Sequence, residues 1–236
     1  DYVHHFHLNR LGIGLIEYLY QKQIPQFFTP TDFWMICPTA QLMRGEARYC
    51  SGPDKNAGNC INHFARDRFK NNVGKVIELI PAAVFATVAK VTKKNLLIQF
   101  PMSQEVSALH NRLDNTVAAL NKLDGIVAPN EFMRELFINH GVNEELIHLC
   151  HFGVDIKVSD SALAKKGVSK KPCYGFIGTL APHKGCHIAI DAINKLPKDS
   201  ASLKIYGAHG DFPEYYESLI KLASDNPDIE FCGTFD

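Results

Sequence analysis

The chain has 236 residues, 46% hydrophobic and 21% charged, with 25 basic residues balanced by 25 acidic ones. Such a length fits one large or two modest domains with a sizeable core, and the zero net charge argues against a general nucleic-acid or polyanion binder. Seven cysteines, an odd number without a visible secretory signal, suggest a reducing compartment rather than a disulfide framework. Asp1 opens inside what reads as a strand, without an initiator Met, so the chain is expected to be a fragment.

Residues 3–8 read as a strand carrying His4, His5 and His7, and Asn9 as the N-cap of a helix running to about Lys22. Pro25 restarts an extended segment at 26–29. The histidines either line a cleft beyond the carboxyl end of a parallel strand or sit half-exposed on a strand edge. Asp32 is a cleft candidate, or else caps the turn after the second strand.

Cys37, Cys50, Cys60 and His63 follow with the spacing C-x12-C-x9-C-x2-H. Thiolate and imidazole are ligands that tetrahedral zinc prefers, but structural zinc sites usually show two short pairs and here one is short. No metal ligand is assigned. Buried free cysteines in an irregular loop are the alternative, and zinc on these four side chains stays open.

Residues 64–94 read as helical and amphipathic. Their most apolar part, 77–91, contains Glu78, Pro81 and Lys90 and is too short to span a bilayer, so a core or interface helix is expected. A strand at 96–100, a helix at 104–122 and a strand from Gly125 come next. Asn130 then caps a helix stopped by Gly141, before a strand at 146–150. Residues 157–171, polar and lysine-bearing, read as a linker. Beyond it the pattern is β-α-β-α-β, with strands at 174–180, 203–206 and 229–232 and helices at 185–196 and 214–223.

The first strand-helix turn of that run carries the most chemistry. Gly178 and Gly185 bound it, Pro182 stiffens it, and Lys184 puts a cation beside a helix N-terminus, whose free N–H groups and partial positive charge suit an anion. It is not a P-loop, because His183 and Gly185 stand where Gly and Ser or Thr would flank the Lys. Gly207 and Gly210 follow the next strand, either in a ligand loop or in a plain turn.

Gly178, Leu180, Lys184 and Gly185 match the pattern Gly-Arg-Leu-x-x-x-Lys-Gly, with Thr179 in place of Arg. Asp32, Phe33, Trp34, Cys37 and Pro38 match Thr-x-His-Asp-Phe-Trp-x-x-Cys-Pro, with Thr31 in place of His. Asp124-Gly-Ile-Val-Ala-Pro, His140-Gly-Val and Phe152-Gly-Val-Asp track a domain crossover. In these stretches the chain resembles the group 1, family four, glycosyltransferases of the GT-B fold. The resemblance covers the chain, which lacks the family's opening strands and its C-terminal Glu-x7-Glu segment.

The resemblance implies an α/β protein of GT-B type with two Rossmann-like doubly wound domains, both incomplete. Residues 1–156 would form the acceptor-side domain, 157–171 the linker and 172–236 the nucleotide-sugar-binding domain. The implied reaction is retaining hexosyl transfer from a UDP- or GDP-linked sugar to an acceptor hydroxyl in polysaccharide or cell-envelope glycan synthesis. Donor-binding residues would be Gly178, Thr179, Lys184, Gly185 and Gly207, with Lys184 and Thr179 on the leaving diphosphate. No catalytic residue is assigned, since Thr31 cannot titrate usefully near neutral pH.

Implied partners are a nucleotide-sugar donor and a glycan or lipid-linked acceptor, with no nucleic acid, no cofactor and no metal for the transfer. The placement implied is cytoplasmic, with peripheral contact at the inner membrane face, where Lys90, Lys93 and Lys94 would meet anionic lipid. Two other readings remain open: a non-catalytic sugar-nucleotide-binding relative, and a zinc-stabilised interaction module.

Overall fold

A computed structural model describes residues 1–44, 48–69, 72–93, 102–153 and 171–234. The chain divides into two units, Asp1–Gly153 and Val154–Asp236. The strand expected at 96–100 and the linker up to residue 170 lie outside the described residues.

The first unit is an α/β layer built on a four-stranded parallel sheet. Its strands are β1 (Val3–His5), β2 (Gln26–Phe28), β5 (Gly125–Ala128) and β6 (Ile147–Leu149), in that spatial order. Helix α1 (Gly14–Gln21) joins β1 to β2 and buries Ile16 and Leu19. It starts later than the expected Asn9 cap. Leu8 is buried and its carbonyl accepts from the backbone N–H groups of Leu11 and Gly12, so a turn precedes the helix, and Ile13 occupies the N-cap without a side-chain bond.

The connection from β2 to β5 holds a short hairpin, β3 (Met43–Arg44) with β4 (Arg48–Tyr49), and four helices. These are α2 (Gly58–Arg68), α3 (Asn72–Leu79), α4 (Ala82–Lys93) and α5 (Ser103–Leu120). The stretch read as helical and amphipathic over 64–94 is divided among α2, α3 and α4. Helix α2 begins at Gly58 because Asp54 puts a carboxylate over its N-terminus, accepting from the backbone of Gly58 at 2.8 Å and of Asn59 at 3.1 Å. Pro81 separates α3 from α4, and the Asn62 amide donates to the carbonyls of Ile77 (2.9 Å) and Ile80 (3.1 Å) at that break. Ile61, Ala89 and Val106 form a small core among these helices.

Helix α6 (Glu131–Asn139) starts at the expected cap, where the Asn130 side chain accepts from Met133 N at 2.8 Å. The main core of the unit gathers Phe28, Leu120, Ile126 and Phe137, the last fully buried and stacked on Phe28.

The second unit is β7 (Cys173–Ile177), α7 (Cys186–Asn194), β8 (Ser202–Tyr206), α8 (Pro213–Ala223) and β9 (Ile229–Gly233). Its three strands are parallel in the order β7-β8-β9. Ile190 and Ile193 of α7, Leu219 of α8, and Leu203 and Ile205 of β8 share one core. Strand alternation puts Lys204 on the other face, where it pairs with Glu230. Each unit thus has the parallel-sheet, Rossmann-like α/β architecture that the sequence pattern implies.

Candidate functional site

The glycine-bounded turn leaves the carboxyl end of β7, where ligands bind in open parallel sheets. Past the strand, Gly178 N still donates to Tyr206 O (3.0 Å) and Leu180 N to Ala208 O (2.8 Å), so the loops after β7 and β8 run side by side. Gly207 lies in this contact. A Cβ there would collide with the Gly178 carbonyl oxygen, which gives this glycine a packing reason.

The chain then makes a single 3-10 turn, Pro182–Lys184, and enters α7 through Gly185 at φ +76°, a left-handed conformation that suits glycine. No side chain caps Gly185. One N–H of the first turn is taken, because His187 N donates to the Tyr215 hydroxyl at 3.2 Å, and that hydroxyl also bonds His187 Nδ1 at 2.7 Å. Lys184 is exposed and makes no ion pair among the described residues; the exposed Thr179 hydroxyl makes no hydrogen bond among them. Desolvation, and then the Lys184 ammonium, hold His183 below the usual imidazole range. The turn therefore presents a cation, a hydroxyl and a helix N-terminus to solvent, an arrangement able to hold an anion.

In the first unit, β1 and β2 place polar groups side by side at their carboxyl ends. His7 Nε2 lies 2.8 Å from Asp32 Oδ2, and Asp32 Oδ1 accepts from Trp34 N at 2.8 Å. Asp32 thus both caps its turn and faces an imidazole. Thr31 donates its hydroxyl to Phe6 O (3.0 Å), and His4 Nε2 bonds Thr29 Oγ1 (2.9 Å). His5 points the other way, into a buried contact with Gln26.

The cysteine loop brings Cys37, Cys50, Cys60 and His63 to the wall of one small cavity. Among the described residues, no group of three or more His, Cys, Asp or Glu is arranged to hold a metal. Cys37 Sγ bonds Thr39 Oγ1 (3.2 Å), Cys50 Sγ donates to Gly52 O (3.6 Å) and His63 Nε2 meets Asp67 (3.2 Å). Burial pushes the Cys60 thiol up to about 12, with Cys37, Cys50 and Asp54 adding to the effect. The three cysteines are free and buried.

No protein-family description and no curated protein matches the chain. Solved structures do. HepE of Anabaena in complex with UDP and glucose is 16% identical, with a TM-score of 0.46 over 97% of this chain and 53% of its own. A glycosyltransferase from Rickettsia africae is 13% identical, with a TM-score of 0.44 over 100% of this chain and 69% of its own. The apo lipopolysaccharide outer core galactosyltransferase WaaB is 12% identical, with a TM-score of 0.37 over 100% of this chain and 68% of its own. The chain spans about half the length of the first of these.

Two features of the first unit escape sequence reading. One is the His7–Asp32 pair, for which the cluster of histidines in β1 was the available signal. The other is a cavity of about 520 Å³ bounded by Gly12, Trp34, Pro38, Asn111 and Arg112. The Arg112 guanidinium lies 4.6 Å from the centre of the Trp34 ring and bonds the Trp34 carbonyl, which holds the loop after β2 against α5. No local pattern announces this contact, because its partners come from distant segments.

Proposed function

We propose that the chain forms part of a GT-B glycosyltransferase that moves a sugar, with retention, from a UDP- or GDP-linked donor to an acceptor hydroxyl in envelope or polysaccharide synthesis. The observation that carries this reading is the glycine-bounded turn after β7, which leaves Lys184 and Thr179 exposed beside the α7 N-terminus. An ammonium, a hydroxyl and the partial positive charge of the α7 N-terminus would stabilise charge developing on a leaving diphosphate. The α7-bearing unit is then the donor side, with Gly178, Gly185 and Gly207 shaping the turn. The first unit is the acceptor side, where Asp32 orients His7 at the strand ends. No metal or cofactor is required for this role.

Calorimetric titration with UDP and with GDP tests the reading. Saturable binding of one nucleotide is expected, weakened by about 1.5–3 kcal/mol in Lys184→Ala, the usual worth of a hydrogen bond to a charged group. Binding of neither nucleotide to folded protein would remove the donor assignment. Thr179 and Thr31, which replace a charged and a titratable residue of the resembled motifs, favour a second reading, a sugar-nucleotide-binding relative without transfer activity. Nucleotide binding with no turnover of any UDP- or GDP-sugar would select it.

Peripheral membrane contact belongs to the same proposal. No single helix among the described residues is long and apolar enough to cross a membrane; α3 and α4 together meet that test but are bent by 88°. Val73, Val76 and Leu79 of α3 are exposed, Leu79 by 82%. Residues 68–94 carry Arg68, Lys70, Lys75, Lys90, Lys93 and Lys94 against one acid, Glu78, which pairs with Arg48 and Arg66. Exposed apolar side chains on α3, in a stretch whose sequence is rich in lysine and arginine, suit an anionic bilayer surface, and the placement proposed is cytoplasmic at the inner face. The protein is expected to float with anionic but not neutral vesicles, and Leu79→Glu to abolish flotation. Flotation unchanged by that substitution would disprove contact through α3.

A further inference from the structure

Beside the β3–β4 hairpin, a cavity of about 320 Å³ is lined by Arg44, Arg48, Arg66, Asn62, His63 and Tyr49, with Glu78 as its carboxylate. We propose that this cavity is an anion site for the phosphate or diphosphate group of a phosphorylated ligand. It shares no residue with the turn after β7 and stands whether or not the transferase reading holds.

The argument is one of donor supply and charge. Three guanidiniums each offer five N–H donors in a planar fork that fits phosphate oxygens. The Glu78 carboxylate takes one bond from Arg48 and one from Arg66 Nε at 3.2 Å, leaving most donors of both side chains unused. Arg44 makes no ion pair among the described residues. The Asn62 amide N–H groups are committed to Ile77 O and Ile80 O, which anchors the cavity wall to the α3–α4 break.

Asp67 lies beside this wall and pairs with His63. Even so, burial, together with the charges of Arg66 and Arg44, outweighs Asp67 and holds His63 below the usual imidazole range. The positive field that opposes an imidazolium is the field that favours an anion. Glu78 then acts as an internal counter-ion, keeping the guanidiniums in place when the cavity is empty.

The site is tested in Lys184→Ala protein, so that the turn after β7 does not contribute and a failure here is distinct from a failure of the donor assignment. Inorganic pyrophosphate and vesicles containing phosphatidate are the two probes, the first reporting a free phosphate source and the second a lipid headgroup. Arg44→Gln, at an exposed side chain, is expected to weaken binding of the effective probe about tenfold, the loss of one charge-assisted contact. Glu78→Gln is expected to tighten it, which a purely structural role for Glu78 would not do. Saturation should also raise the titration midpoint of His63, followed by NMR, because the bound anion offsets Arg44 and Arg66. Binding of neither probe, or binding indifferent to Arg44→Gln, would overturn the proposal.

Discussion

Gly207→Ala is expected to destabilise the second unit by about 3 kcal/mol, the upper end of what overpacking costs. The added Cβ would strike the Gly178 carbonyl oxygen, which is backbone and cannot rotate away, and would press on Leu180 at 3.3 Å. Relief requires parting the loops after β7 and β8, which breaks the bonds from Gly178 N to Tyr206 O and from Leu180 N to Ala208 O. Since this contact sets the path of the turn that ends at Lys184, nucleotide binding should weaken together with stability. Gly210→Ala is the control: nothing lies within 4 Å of a Cβ there, so its effect should stay within about 0.5 kcal/mol. Thermal unfolding of both variants decides the matter, and equal effects would show that the loops do not pack as described.

Gln26→Ala should cost the first unit about 2–4 kcal/mol in urea unfolding. Gln26 is 1% exposed; its Oε1 lies 3.0 Å from His5 Nε2, and its Nε2 donates to Ile16 O at 3.1 Å. Truncation leaves a void and orphans a ring nitrogen and a carbonyl, both buried, adding the desolvation penalty to the cavity cost. Gln26→Leu separates the two contributions. It restores most of the volume but neither hydrogen bond, so it should recover part of the loss and no more. If Gln26→Leu were as stable as the native chain, the polar contact would be contributing nothing.

Gln26, at the start of β2, ties β1, α1 and β2 together through His5 and Ile16. Gly207 fixes the loop pair from which Thr179 and Lys184 emerge. There a buried contact away from the exposed groups sets their geometry, so stability and binding should fall together when it is lost.

Much of the secondary structure was legible locally. The Asn130 cap, the Gly141 stop, the helix at 103–120 and the strand-turn-helix around Lys184 depend on interactions within one turn or on hydrophobic periodicity, which neighbouring residues supply. The parallel α/β architecture followed from the alternation of those elements. Less legible were the start of α1 and the division of residues 64–94 into separate helices. There the deciding bonds come from the Leu8 turn, from Asp54 over α2, and from Asn62 reaching the α3–α4 break.

What the sequence by itself determined was thus most of the elements and the chemistry they carry: a cation and a hydroxyl at a glycine-bounded turn, and histidines near the end of a strand. What the tertiary structure alone decided was which of these groups meet. Parallel pairing of β1 with β2 brings their carboxyl ends level and so sets His7 against Asp32. Packing of α2 and α3 beside the hairpin draws Arg44, Arg48, Arg66 and Glu78 around one cavity. Packing of the loop after β2 against α2 brings Cys37, Cys50 and Cys60 to one small cavity as buried free thiols. Each outcome rests on side chains far apart in the chain, whose approach is set by strand register and helix packing rather than by local pattern.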